Sequence, residues 1–238
     1  MSRRLVVGFA RSFCHAGRVE RIQESATVTL RDQWARLVGR HAEAGAVVES
    51  LLARYAEPHR RYHDTDHLRT VLDLIGELVY EADDADAVTL AAWFHDAVYD
   101  PARADNEERS ARLAERGLRE AGVAPELIAE TVRLVRVTAE HAPGETDHNA
   151  HVLCDADLAI LAADRERYEA YTAAVREEYS FVPDEAFRAA RAAVLRDLMS
   201  LPRLFHTRLG AARYEEAARY NMRAELERLE GTIPRQQS

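Results

Sequence analysis

The sequence predicts an all-α fold: one helical domain of about eight or nine helices. Three observations carry this reading. Leucine, alanine, arginine and glutamate dominate, and all four are strong helix formers. Apolar residues recur at steps of three and four along most of the chain. Strand-type alternation is scarce, and no internal repeat or interdomain linker interrupts the pattern. With 47% apolar residues in 238, the chain is long enough to bury one substantial core.

The elements follow in order. Leu30, Trp34, Leu37, Val38, Val47, Val48, Leu51 and Leu52 mark a helical stretch from Thr29 to Tyr55, with a break expected near Gly45. The connector "AEPHRRYHD" follows, because Pro58 excludes a continuous helix. Asp64 or Thr65 can cap the next helix, whose stripe is Leu68, Val71, Leu72, Ile75, Leu78 and Val79. Ala85 to Ala97 reads as a short apolar helix ending in "FHD". Asp105 is a candidate cap for a helix from Glu107 to Ala121. Gly122 stops that helix, and Pro125 opens another running to about Glu140. After the loop "HAPGETDHN", four more helices are expected: Val152 to Ala162, Arg165 to Tyr179, Glu185 to Ser200 and Ala212 to Glu230.

These elements place the domain at residues 28–231. Residues 1–27 read as a weakly ordered N-terminal extension, with Arg3, Arg4, Arg11, Arg18 and Arg21 and no acid before Glu20. Removal of Met1 to about Ser25 should leave melting temperature and activity nearly unchanged. Residues 232–238, "TIPRQQS", read as a frayed tail.

A formal net charge of −9 disfavours bulk binding to nucleic acid or an anionic membrane, so a phosphate substrate would need a local positive centre. The two cysteines, Cys14 and Cys154, form no CxxC pair, which points to a reducing, cytoplasmic setting. No stretch approaches the ~18 apolar residues of a membrane span. Formation of a homo-oligomer is left open.

The chemistry concentrates in three places. His67 lies near the first turn of the long helix after the connector. His95 and Asp96 end a buried helix. Asp155 and Asp157 sit in the otherwise apolar run "VLCDADLAIL". Buried aspartates are costly unless paired or bound to a cation. Imidazole nitrogens with carboxylate oxygens suit a divalent metal and leave positions for water and substrate.

The ordered set "YAEPHRRYHDTDHL", "AAWFHDAVYD", "DNEERSA", "LCDADLAIL", "VREEY" and "RYNMRAELERL" resembles the HD superfamily of metal-dependent phosphohydrolases, with ligand order H…HD…D. The similarity is greatest to its small bacterial branch of predicted phosphohydrolases and spans about Tyr55 to Leu229. Asp64 departs from the more usual "YHN" and adds a negative charge near the site. The resemblance implies His67, His95, Asp96 and Asp157 as ligands of a divalent ion (Mn, Fe, Co, Ni, Zn or Mg), with Asp155 behind them. It implies His63 as proton donor to a leaving group, and Asp96 or Glu107 orienting a water, with Asn106 beside Glu107 in the same motif. Arg60, Arg61, Arg176 and Tyr179 are candidates for holding the phosphate, and His141 for a further metal or substrate contact. Packing is the competing reading for Tyr168, Tyr171 and Tyr179. His148 and His151 are expected to face solvent.

The implied activity is hydrolysis of a phosphoester or phosphoanhydride in a nucleotide or other small phosphorylated metabolite. Two alternatives stand beside it. An HD-fold di-iron oxygenase would use further histidines, His141 first. A non-catalytic metal- or nucleotide-binding module would bind without turnover.

Overall fold

The computed structural model of the protein describes residues 30–231, which contain ten α-helices and no strand. The expectations for residues 1–27 and for the tail lie outside the described residues, as does Cys14. The helices are α1 (30–37), α2 (Ala42–Tyr55), α3 (Thr65–Leu78), α4 (Ala85–Phe94), α5 (Asn106–Glu120), α6 (Pro125–Val137), α7 (His148–Leu158), α8 (Arg165–Glu178), α9 (Asp184–Ser200) and α10 (Arg208–Leu229). One-turn 3₁₀ segments extend α3 at Val79–Glu81 and α7 at Ala159–Ala162.

Helix ends are set by local chemistry, and this accounts for where the observed boundaries differ from the expected ones. The first break falls at residues 38–41, not at Gly45. Gly39 takes φ +112°, a conformation that side chains disfavour, and Gly45 is an interior residue of α2. Asp64 caps α3 by accepting from the backbone N–H groups of Asp66 and His67. Asp105 precedes α5 but turns its carboxylate to Arg103 instead, at 2.6 and 2.8 Å. Helix α6 stops three residues short of Glu140, and His141 beyond it has φ +48°. Helix α7 begins at His148, ahead of the expected Val152, because Asp147 caps it through Ala150 N–H. Helix α10 likewise begins early, because the Thr207 hydroxyl accepts from Gly210 N–H at 2.9 Å.

Two apolar clusters organise the packing. The larger joins α1 through α7 around Trp34, Tyr55, Trp93 and Phe94. The Trp34 and Trp93 rings meet edge to face at 5.3 Å. Each such side chain contributes about 1.5–3 kcal/mol on leaving water. The smaller cluster joins the segment after α7 to α8, α9 and α10 through Leu161, Tyr168, Leu195, Phe205 and Met222. Helix α7 feeds both clusters, so its polar residues lie at the seam between them. No described helix is long and apolar enough to cross a membrane.

Candidate metal centre

Three helices deliver the donors. The Asp64 cap fixes the first turn of α3, and His67 is the third residue of that turn, nearly buried. Helix α4 is largely apolar, with seven of its ten residues buried, so the histidine at its C-cap ends deep inside. His95 Nδ1 lies 2.8 Å from Ala92 O; a proton on Nδ1 donates there and leaves Nε2 as the donor atom for a metal. Asp157 comes from the last turn of α7.

One ligand atom each from His67, His95 and Asp157 lies within 4.8 Å of the others, and this group can hold a metal ion. The two Nε2 atoms are 3.2 Å apart. Asp157 Oδ1 is 3.3 Å from His67 Nε2 and 3.6 Å from His95 Nε2. Asp96 Oδ2 lies 3.4 and 3.1 Å from the same two nitrogens. Two imidazoles and two carboxylates thus face one point. The N₂O₂ set is of the kind that suits a borderline divalent ion.

The electrostatics agree with that geometry. Burial alone would raise the Asp96 and Asp157 carboxyls, but the charge of His95 and the hydrogen bonds of the neighbouring histidines hold both well below the usual range. Burial alone would lower His67 and His95, but the two aspartates raise them. The cluster is therefore a strong trap for positive charge, whether proton or cation.

His141 reaches the other oxygen of Asp157, with Nε2 at 2.7 Å from Oδ2. Asp155, two residues earlier on the same helix, points elsewhere. It accepts from the N–H of His206 and of Thr207, each at 2.8 Å, and from the Thr207 hydroxyl at 2.6 Å. It fastens α7 to the start of α10 and does not stand behind the metal donors.

His63 Nδ1 lies 2.7 Å from Glu178 Oε2, and its ring stacks on Tyr99 with centroids 4.3 Å apart. The His63 and His67 ring centroids are 5.8 Å apart. Glu178 is a hub. Its Oε1 accepts the backbone N–H groups of Arg61, Tyr62 and His63 at 2.8–3.0 Å, and its Oε2 also accepts from the Tyr99 hydroxyl at 2.8 Å. Burial raises its carboxyl, but His63 and these backbone donors outweigh that and hold it down at about 2. Sequence reasoning chose Arg176 and Tyr179 from "VREEY" and passed over Glu178. A signal was present: Glu178 ends α8, where the helix dipole disfavours an anion, so it needed a partner elsewhere.

The remaining expected site residues have other commitments. The Arg60 side chain is buried; its Nη1 donates to His63 O and Asp96 O, both at 2.8 Å, and its guanidinium lies over the Tyr55 and Tyr99 rings. It ties the connector to the end of α4 and is not available to a phosphate. Arg176 donates to Tyr179 O and Val182 O and pairs with Asp184, bracing the α8–α9 turn. Tyr179 packs against Phe181 and Phe187. Glu107 is half-buried in the first turn of α5; its charge is felt at the Tyr179 phenol, and it is not part of the donor group. Asn106 is spent on the loop before α5, bonding Asp100 N and O. His148 is exposed as expected, but His151 is buried and bonds Gly144 O at 2.8 Å.

Arg61 pairs with Glu177 at 2.8 Å and lines a cavity of about 320 Å³ that His67 and Asp157 also line. Arg167, on α8, lines the same cavity; its hydrogen bond is a long one to Thr70 Oγ1 at 3.4 Å. Nothing in the sequence marked it, since its spacing on α8 is that of an ordinary surface arginine.

No family model, curated protein or solved structure matches this chain. Function must therefore be argued from the residues.

Proposed function

We propose that the chain is a metal-dependent phosphohydrolase of HD type, acting on a phosphoester or phosphoanhydride of a nucleotide or another small phosphorylated metabolite. The observation that carries the reading is the convergence of His67, His95 and Asp157 donor atoms from three helices, with His67 and Asp157 lining a cavity that also presents arginines. A purely structural polar cluster has no need of an adjoining cavity with guanidinium groups.

A divalent ion held by these side chains supplies Lewis acidity and brings the pKa of a water toward neutrality. The chain's own residues do the rest. Arg167 and Arg61 attract and orient the phosphoryl oxygens from the cavity wall. The Asp96 carboxylate, held ionised, accepts a proton from an attacking water. His63, oriented by its 2.7 Å contact with Glu178 as a carboxylate orients a catalytic histidine elsewhere, carries the proton that the leaving oxygen takes. This division of labour matches the H…HD…D resemblance.

The test is metal analysis of the purified protein, then a phosphoester and nucleotide panel with Mn²⁺, Co²⁺, Ni²⁺, Mg²⁺ and Fe²⁺. His67→Ala should lose both metal and activity. His63→Ala should keep the metal and lose about 10²–10⁴ in rate for alcohol or nucleoside leaving groups. That loss should shrink for a nitrophenolate, which leaves without a proton. Equal loss on both substrate types would remove His63 from the proton-donor role. Metal bound without turnover across the panel would favour a binding module, and two irons per chain with oxygen uptake would favour an oxygenase.

A further inference from the structure

A second cavity, of about 660 Å³, lies among the end of α2, the loop at residues 98–102, the start of α5 and the end of α8. Its size is within the range of small-molecule sites. None of His67, His95 and Asp157 lines it.

Its charges are unequally committed. Four carboxylates line it, and each has partners: Glu57 with Arg60, Glu177 with Arg61, Glu178 with His63 and three backbone N–H groups, and Asp100 with Ala102 N–H. Two of its three guanidiniums have no carboxylate at ion-pair distance, although Asp105, paired with Arg103, acts on Arg109 at longer range. Arg54 and Arg109 are in no ion pair among the described residues. Arg54 Nε is buried and has no hydrogen-bond partner. An orphaned buried donor costs about 1–3 kcal/mol, and a guanidinium next to a cavity is relieved by an anion that brings acceptors to it. At the rim, Phe181 is 60% exposed and its ring stacks on Tyr179, leaving an aromatic face for a ligand.

We infer that this cavity is a second binding site, for a small phosphate monoester carrying a flat ring, such as a nucleoside monophosphate. Arg54 and Arg109 hold the phosphate, and Phe181 covers the ring. The inference concerns binding and does not depend on the hydrolytic reading. Arg61 lines both this cavity and the one at the metal centre, and Glu178 and Tyr99 in its wall contact each other and His63, so an occupant would sit against the support of His63.

The test uses the full chain, with AMP and inorganic phosphate as probes in titration calorimetry. Arg109→Gln, an exposed change that leaves the fold intact, and the double variant Arg54→Gln/Arg109→Gln should weaken AMP binding by about tenfold or more, the scale of one lost charge-assisted hydrogen bond. Phe181→Ala should weaken AMP by about threefold and leave phosphate unchanged, because only AMP offers a ring. His67→Ala, which removes a metal donor, should bind AMP as the native chain does. AMP binding that survives Arg109→Gln but is lost in His67→Ala would place the anion at the metal centre and overturn the inference. So would an absence of AMP binding to the native chain.

Discussion

Two aspartates on α7, two residues apart, face different worlds, Asp155 buried and Asp157 half-buried. They are separated by roughly 200° around the helix. Asp155 faces the junction with α10, where two backbone N–H groups and a hydroxyl saturate it. Asp157 faces the α3–α4 side, where its neighbours are the imidazoles of His67, His95 and His141. A carboxylate filled by backbone donors is part of the fold, since those donors cannot be given up. A carboxylate among imidazoles is different, because imidazoles can release their protons and turn lone pairs toward a cation. The difference between a structural and a functional acid therefore lies in what surrounds it.

The comparison predicts a large asymmetry in stability. Asp155→Ala strands two N–H groups and a hydroxyl in a buried junction and should cost about 3 kcal/mol or more in urea unfolding. Asp157→Asn should cost clearly less. Equal losses would mean that Asp157 is as structural as Asp155.

Glu178 sharpens the same contrast, because it serves both purposes. Its carboxyl is held at about 2 against an ordinary value near 4.3. A depressed acid stabilises the fold above its ordinary pKa, and that contribution is lost as pH falls from about 4.3 toward 2. The linked loss is about 3 kcal/mol, and Glu178→Gln should abolish this part of the acid limb. Unfolding at pH 6 and pH 3 in both proteins checks it; parallel acid limbs would contradict the assignment.

Gly210→Ala should cost about 1–3 kcal/mol, because an added Cβ would collide with Asp155 Oδ2 and the Thr207 hydroxyl. The same change should leave metal content untouched, since Asp155 is not a donor. The smallest effect is expected from Asp64→Ala, which removes the α3 cap for about 1 kcal/mol in thermal unfolding.

Much of this was legible in the sequence, for identifiable reasons. Helical periodicity is local, so the stripes of α3 and α10 gave the all-α class without tertiary information. The residues alone marked His67, His95 and the pair Asp155 and Asp157 as out of place beside apolar runs, and the choice of Asp157 over Asp155 came from the H…HD…D resemblance. Helix starts were less so: Asp147 and Thr207 are common residue types, and only the chain's path shows them capping. The arginines were least legible. Arg60 and Arg176 look from sequence like phosphate ligands, yet carbonyl and carboxylate partners from other turns satisfy them. Arg54 and Arg167 carry no sequence signal, because a guanidinium's freedom is decided by what the fold leaves unpaired around it.

The central claim is that His67, His95 and Asp157 hold a divalent ion, and metal content per chain tests it most directly. The native protein should carry about one equivalent or more of divalent metal by elemental analysis. Asp157→Asn, melting close to the native protein, should carry almost none. Native-like metal content in a folded Asp157→Asn variant would contradict the account, as would a native chain that takes up no divalent metal.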